Sequence, residues 1–219
     1  VIGKTDVERR QMINALGPIW DGNEVWMITA GGALFASFPH VYATLFSGFY
    51  MALFLMLAVL IMRGVAFEFR SKSANRTWRK VFDYCIFIGS IVPALLWGVT
   101  VGNLIQGTPI DETMTYVGTF WDLLSPYTVL CGVAFVLVFT YHGGLFTSIK
   151  TAGPISERAR AASLVTGVPT AIGVIALIIA SYVCTDLYSS ILATIFCALA
   201  VVCFLISWAA ARTRNTKWG

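Results

Sequence analysis

Residues 17–39 read GPIWDGNEVWMITAGGALFASFP, and residues 40–70 follow directly as HVYATLFSGFYMALFLMLAVLIMRGVAFEFR. The two stretches set ionisable side chains against long apolar runs, and their reading decides the fold. Asp21 and Glu24 are three residues apart, so on a helix they share a face just before the apolar run that begins at Val25. Crossing a hydrocarbon core takes about 20 residues. The run from Val25 to Phe38 is shorter than that, so a spanning helix has to reach back through Asn23, Gly22 and Asp21. Pro18 suits a first helical turn, and Pro39-His40 a tight turn at the far side. A carboxylate at the centre of a membrane helix costs about 2.5–3.5 kcal/mol, and less near an end, so the pair is tolerated where it faces water or protein. Two readings stay open: titratable groups at the mouth of a membrane helix, or acids that favour the positive end of a helix dipole.

The rest of the chain has the same character. With 58% hydrophobic and 12% charged residues and a mean hydropathy of +0.77, it reads as a polytopic helical membrane protein rather than a soluble globule. Its 219 residues suit one all-α transmembrane bundle of about six spans, with no room for a soluble domain as well. After the first span, the apolar runs predict spans over Val41–Met62, Phe82–Ile105, about Leu124–Ile149, about Ala161–Cys184, and a last one ending near Ala211. Residues 1–16 are expected at the membrane surface as an amphipathic segment, with Lys4, Arg9 and Arg10 on its polar side. Ser90, Ala94, Gly98 and Gly102 recur every four residues, a stripe that lets another helix approach closely, and Pro93 predicts a kink in the same helix. Cys85, Cys131, Cys184, Cys197 and Cys203 all fall inside apolar runs without a C-x-x-C pair and read as packing residues.

All fifteen Lys and Arg lie in residues 1–16, in loops at 63–81 and 148–160, or in the carboxyl tail with Arg212, Arg214 and Lys217. The 106–123 loop holds Asp111, Glu112 and Asp122 and no basic residue. Six crossings place every basic segment on one side, which the positive-inside rule makes cytoplasmic. The net charge of +4 is therefore topogenic and not a nucleic-acid footprint. Asp21, Arg63 and Asp83 then share one membrane level at the cytoplasmic ends of three successive helices. A carboxylate, guanidinium and carboxylate cluster suits proton uptake, because each acid can hold a proton while the arginine limits the cost of ionisation. The other reading has Arg63 snorkelling to headgroups and Asp83 capping its helix. There are two histidines, His40 beside Pro39 and His142 within TYHGG. A lone intramembrane histidine is more often hydrogen-bonded into a bundle than a haem ligand. No nucleophile, base and oxyanion arrangement, metal-ligand set or phosphate-binding loop is visible.

The run GPIWDGNEVWMITAGGALFASFP, with LFSGFYMALFL, RGVAFEFRSK and WRKVFDYCIFIGSIVPALLWGVTVGNLIQG, resembles subunit II of the cytochrome bd-type quinol oxidases, closely from Asp6 to Gly107 and as a hydropathy pattern beyond. The resemblance implies a haem-poor membrane subunit of a terminal quinol:oxygen oxidoreductase of aerobic respiration in the bacterial inner membrane. It implies that subunit I, the heterodimer partner, carries haem b, haem d and the quinol site, and that O2 is reduced to water with cytoplasmic protons. It leaves room for a structural quinone and a small single-helix accessory subunit. The family fold is two four-helix bundles plus one helix, of which this chain is expected to represent helices two to seven of nine, without the first helix and its Gly-Phe-Asp-Met-Gly-like motif. Asp21 matches the acid of the family's Trp-Asp-Gly-Asn motif on a proton route. Arg63 and Asp83 match positions tied to function or haem retention, and Trp26 matches an aromatic near an oxygen route. The competing functions are a proton-coupled secondary transporter, which calls for inverted repeats or broken helices in paired positions, and a purely structural membrane partner.

Overall fold

In a computed structural model that describes residues 2–213, every long element is a helix. They are α1 (Asp6–Leu16), α2 (Trp20–Ser37), α3 (Pro39–Gly48), α4 (Tyr50–Phe69), α5 (Arg76–Gln106), α6 (Pro126–Lys150), α7 (Pro154–Cys184) and α8 (Ile191–Arg212). Among the described residues five helices are long and apolar enough to cross a membrane, namely α4 with its 3₁₀ extension to Lys72, α5, α6, α7 and α8. This is the expected all-α polytopic architecture. Arg214 and Lys217 of the tail lie outside the described residues.

Several boundaries differ from the sequence expectation, each for a local reason. The first predicted span is α2, 18 residues long, and it falls outside the five because Asp21, Asn23 and Glu24 occupy its opening turns. The predicted span over Val41–Met62 divides at Phe49 into α3 and α4, and His40 sits in the first turn of α3 behind Pro39 at its start. The basic loop expected over 63–81 shrinks, because α4 runs on to Phe69 and α5 begins at Arg76. Asn75 sets that start: its side-chain oxygen accepts from Thr77 N (2.8 Å) and Trp78 N (3.4 Å), satisfying two N–H groups the helix leaves over. The loop expected over 148–160 shrinks likewise to residues 151–153, since α7 starts at Pro154.

The chain forms two compact units, one of Leu16–Gly132 and one of Val1–Ala15 with Val133–Gly219. In the first, Ala52, Met56 and Leu60 recur every four residues on α4 and bury against Leu96 of α5, with Met27, Val92, Trp97 and Phe120 around them. The small-residue stripe acts as its spacing predicts at Gly98 and Gly102. A Cβ added at Gly98 would stand 2.6 Å from Cys131 O and 2.6 Å from Gly132 Cα, and one at Gly132 only 2.9 Å from Leu95 O. The backbones of α5 and α6 therefore touch there. Substituting Gly98→Ala is expected to lower stability by about 1–3 kcal/mol, because backbone atoms rather than a flexible side chain have to yield. Gly143→Ala, with nothing within 4 Å of the added carbon, is expected to leave stability unchanged or raised. Thermal unfolding of the two variants in detergent checks the contrast.

Asn103 joins the far ends of the same helices. Buried at 4% exposure, its amide donates to Val99 O and to Leu123 O, both at 2.8 Å, while Thr128 Oγ1 donates to the same Leu123 carbonyl at 2.8 Å. The connection from α5 to α6 folds back on α3. Thr44 Oγ1 donates to Met114 O, and Tyr116 fills the notch left by Gly48, where a Cβ would lie 2.8 Å from its ring. Asp111 and Asp122 cap turns in this connection. The Thr113 hydroxyl and the Thr115 and Thr113 amides hold the Asp111 carboxyl below the usual range, and the Thr119 amide and hydroxyl do the same for Asp122.

In the second unit, Thr5 and Glu8 form a capping box at the start of α1: Glu8 N donates to Thr5 Oγ1 (3.3 Å), and Thr5 N to the Glu8 carboxylate (3.1 Å). Arg158 on α7 then latches the segment, donating to Glu8 and, at 2.7 Å, to Ile2 O. Its guanidinium, helped by the Thr5 and Lys4 amides, holds the Glu8 carboxyl down to about 2. Ser163, Gly167 and Thr170 give α7 a narrow buried face, on which Thr170 Oγ1 donates to Leu137 O at 3.2 Å. Tyr141 bonds Ser207 at 2.8 Å, and the Arg212 guanidinium lies 4.0 Å over the Trp208 ring.

Candidate functional site

The ionisable groups of the first unit meet where the start of α2, the end of α4 and the start of α5 come together. Trp20, in the first turn of α2, packs on α4: its ring lies 5.4 Å from that of Phe67, and a Cβ at Gly64 would be 3.4 Å from it. That contact seats the acidic turn of α2 beside Arg63. Arg63 Nη2 donates to Glu24 Oε1 at 2.6 Å, with 22% of each side chain exposed. On the other side of Arg63, α5 comes in at Gly89, where a Cβ would stand 2.6 Å from Arg63 Cβ and 2.8 Å from Val59 O. A side chain at position 89 would push the two helices apart at the level of the arginine.

Seven residues further along, Arg70 makes the second ion pair. Its Nε donates to Asp83 Oδ1 at 2.5 Å and its Nη2 to Asp83 Oδ2 at 3.2 Å, the fork geometry that suits a carboxylate. Arg70 is 1% exposed and Asp83 25%. At 1.5 Å per residue the two arginines are roughly 10 Å apart along the helix, so the pairs lie at different depths. The cluster expected of Asp21, Arg63 and Asp83 is therefore resolved differently. Arg63 takes Glu24, and Asp83 takes Arg70, because the short connection between α4 and α5 brings the last turn of one against the second turn of the other.

Asp21 is exposed at the start of α2, with no hydrogen bond or ion pair among the described residues. Its approach to Glu24 is through the shared helix face alone. Trp26 is 74% exposed on the same helix. Arg63 retains one unspent group: its Nε is buried without a hydrogen-bond partner, a place that a water or an incoming acceptor would satisfy. Sequence reasoning missed Arg70. The signal was present in the absence of any helix breaker between Gly64 and Arg70 and in the capping pattern at Asn75, which together shorten the loop.

Both histidines are exposed, His40 in the first turn of α3 and His142 on α6. Among the described residues no group of three His, Cys, Asp or Glu side chains is placed to hold a metal ion.

Residues 1–219 match the profile of the family described as "Cytochrome bd terminal oxidase subunit II". The chain belongs to that family. Similar proteins include "Probable cytochrome oxidase subunit 2" of Haemophilus influenzae, 49% identical over 176 residues that make up 78% of this chain and 47% of the relative. "Cytochrome bd-I ubiquinol oxidase subunit 2" of Escherichia coli is 48% identical over 173 residues, 77% of this chain and 46% of the relative. "Cytochrome bd ubiquinol oxidase subunit 2" of Bacillus subtilis is 37% identical over 220 residues, 99% of this chain and 65% of the relative. This subunit II chain thus spans about half the length of the first two relatives. The Glu24–Arg63 and Arg70–Asp83 pairs are features of its own residues and do not depend on those names.

Proposed function

We propose that this chain acts as the haem-poor second subunit of a quinol:oxygen oxidoreductase in the bacterial inner membrane, packed against a subunit I that carries haem b, haem d and the quinol-oxidising site. The observation that carries the reading is the Glu24–Arg63 ion pair, half-buried beside Asp21 in a chain whose family is that of the oxidase subunit. Oxygen reduction consumes protons, and a membrane enzyme has to draw them through protein. Asp21 is the outermost acceptor and Glu24 the inner one, with the Arg63 guanidinium paired to Glu24 at 2.6 Å as its counter-charge. The buried Nε of Arg63 gives a connecting water a donor to rest on. Asp83, held by Arg70, fixes the hairpin that supports this route. The basic segments face the cytoplasm in this reading, on the side from which the protons come. Trp26, exposed on α2, belongs to the oxygen route of the same reading. A structural quinone and a single-helix accessory subunit belong to the same proposal as further occupants of the complex.

The test is Asp21→Asn in the assembled complex. Because Asp21 is exposed and unpaired within the described residues, the variant is expected to insert and assemble normally. Its oxygen consumption is expected to fall about tenfold, the order of loss when an amide replaces a proton-relaying carboxylate and water has to carry the step. Unchanged turnover from pH 6 to pH 8 would remove Asp21 from the route.

A further inference from the structure

The stretch from Arg63 to Lys80 carries six basic residues, and the fold divides them into two sets. Arg63 and Arg70 hold carboxylates, and Arg79 Nε donates to Ser73 O at 3.0 Å. Lys72, Arg76 and Lys80 are exposed, and among the described residues their side chains have no hydrogen bond or ion pair. Glu68, the one acid of the stretch, is also exposed and takes none of them.

The free cations continue into an apolar stripe. Arg76, Lys80, Tyr84 and Phe87 are spaced four, four and three residues apart, so they descend one face of α5, with Ile88 beside them. Tyr84 is 67% exposed, Phe87 60% and Ile88 45%. Helix α5 has 31 residues and is therefore about 46 Å long at 1.5 Å per residue, against about 30 Å for a hydrocarbon core. Its first turns consequently stand at headgroup depth. Trp78 marks that level, with its Nε1 tied to Phe69 O at 3.0 Å and its ring 40% exposed.

We propose that this face of α5 binds an anionic phospholipid, with the phosphate held by Lys72, Arg76 and Lys80 and an acyl chain laid along Tyr84, Phe87 and Ile88. Charge at the top and aromatic and apolar surface below reproduce, in order, the chemistry of such a lipid from headgroup to tail. The Tyr84 hydroxyl, without a hydrogen-bond partner among the described residues, lies about two turns along α5 from Arg76, about 12 Å at 1.5 Å per residue. The assignment needs no decision about which leaflet the loop faces. A zwitterionic lipid offers the same tail but no net negative charge for three cations.

Lipid retention by the full-length protein extracted from its membrane tests this. After detergent exchange, the protein is titrated with phosphatidylglycerol or phosphatidylcholine of matched chains, and bound lipid is counted by native mass spectrometry. The wild type is expected to retain phosphatidylglycerol selectively. Each cation contributes about fivefold to occupancy at a lipid surface, so Lys72→Gln/Arg76→Gln/Lys80→Gln is expected to weaken retention about a hundredfold. Lys72→Arg/Lys80→Arg is expected to keep it. Arg63, Arg70 and Arg79 stay in place in the triple variant, and the single Arg76→Gln variant, expected to lose about fivefold, serves if the triple does not accumulate. Equal retention of phosphatidylglycerol by the Gln variants, or equal retention of the two lipids by the wild type, overturns the proposal.

Discussion

Replacing Arg70 with Leu is expected to lower the stability of the protein by about 3 kcal/mol, since removing one partner of a buried pair leaves the other charge uncompensated. Arg70 is 1% exposed and grips Asp83 through two nitrogens, whereas Asp83 keeps 25% exposure, which holds the figure at the lower end of the range for fully buried pairs. The loss has a structural consequence. Arg70 follows the last turn of α4 and Asp83 lies in the second turn of α5, so the pair closes the hairpin on which Arg63 is carried. Arg70→Lys keeps the charge but not the fork, and is expected to fall between wild type and Arg70→Leu. Arg70→Leu/Asp83→Leu is expected to recover most of the loss, because an apolar pair of similar volume carries no desolvation cost. Unfolding monitored by tryptophan fluorescence in detergent measures all three. A wild-type midpoint for Arg70→Leu would mean that water satisfies Asp83 and that the clamp is dispensable.

What could be read from the residues alone divides along physical lines. Helical class and the apolar spans are properties of local composition, so α5 to α8 were legible, and the spacing of Gly98 and Gly102 announced a close helix approach on α5 without saying that α6 makes it. The acidic turn at Asp21 and Glu24 was visible as a polar interruption of an apolar run. Which cation each acid would meet was not. That depended on helix ends, and the ends depend on capping: Asn75 starts α5 six residues before the predicted span at Phe82, and nothing stops α4 at Arg63. A loop expected over 63–81 is a tight connection, and Arg70 rather than Arg63 meets Asp83. The role of Gly89 was hidden for the same reason, since its fit against Arg63 exists only when two helices are set at a particular register.

Arg63 and Glu24 offer the sharper separation of structure from function. Arg63→Leu leaves the Glu24 carboxylate half-buried without its partner, and is expected to cost about 2–3 kcal/mol and, if Glu24 relays protons, to slow oxygen consumption as well. Glu24→Leu strands the guanidinium, whose Nε already lacks a partner, and is expected to cost a similar amount. The double variant removes both charges. Since the pair's attraction is set against the desolvation of two ions, Arg63→Leu/Glu24→Leu is expected to return to within about 1 kcal/mol of wild-type stability. Stability and turnover should then part company. If Glu24 relays protons, the doubly apolar protein folds, assembles and consumes oxygen slowly, with the deficit greatest at high pH where protons are scarce. If the pair only fixes α2 against α4, turnover recovers along with stability, because Trp20 against Gly64 and Phe67 still seats the helix. Oxygen consumption by the double variant, normalised to assembled complex, decides between a conduit and a brace.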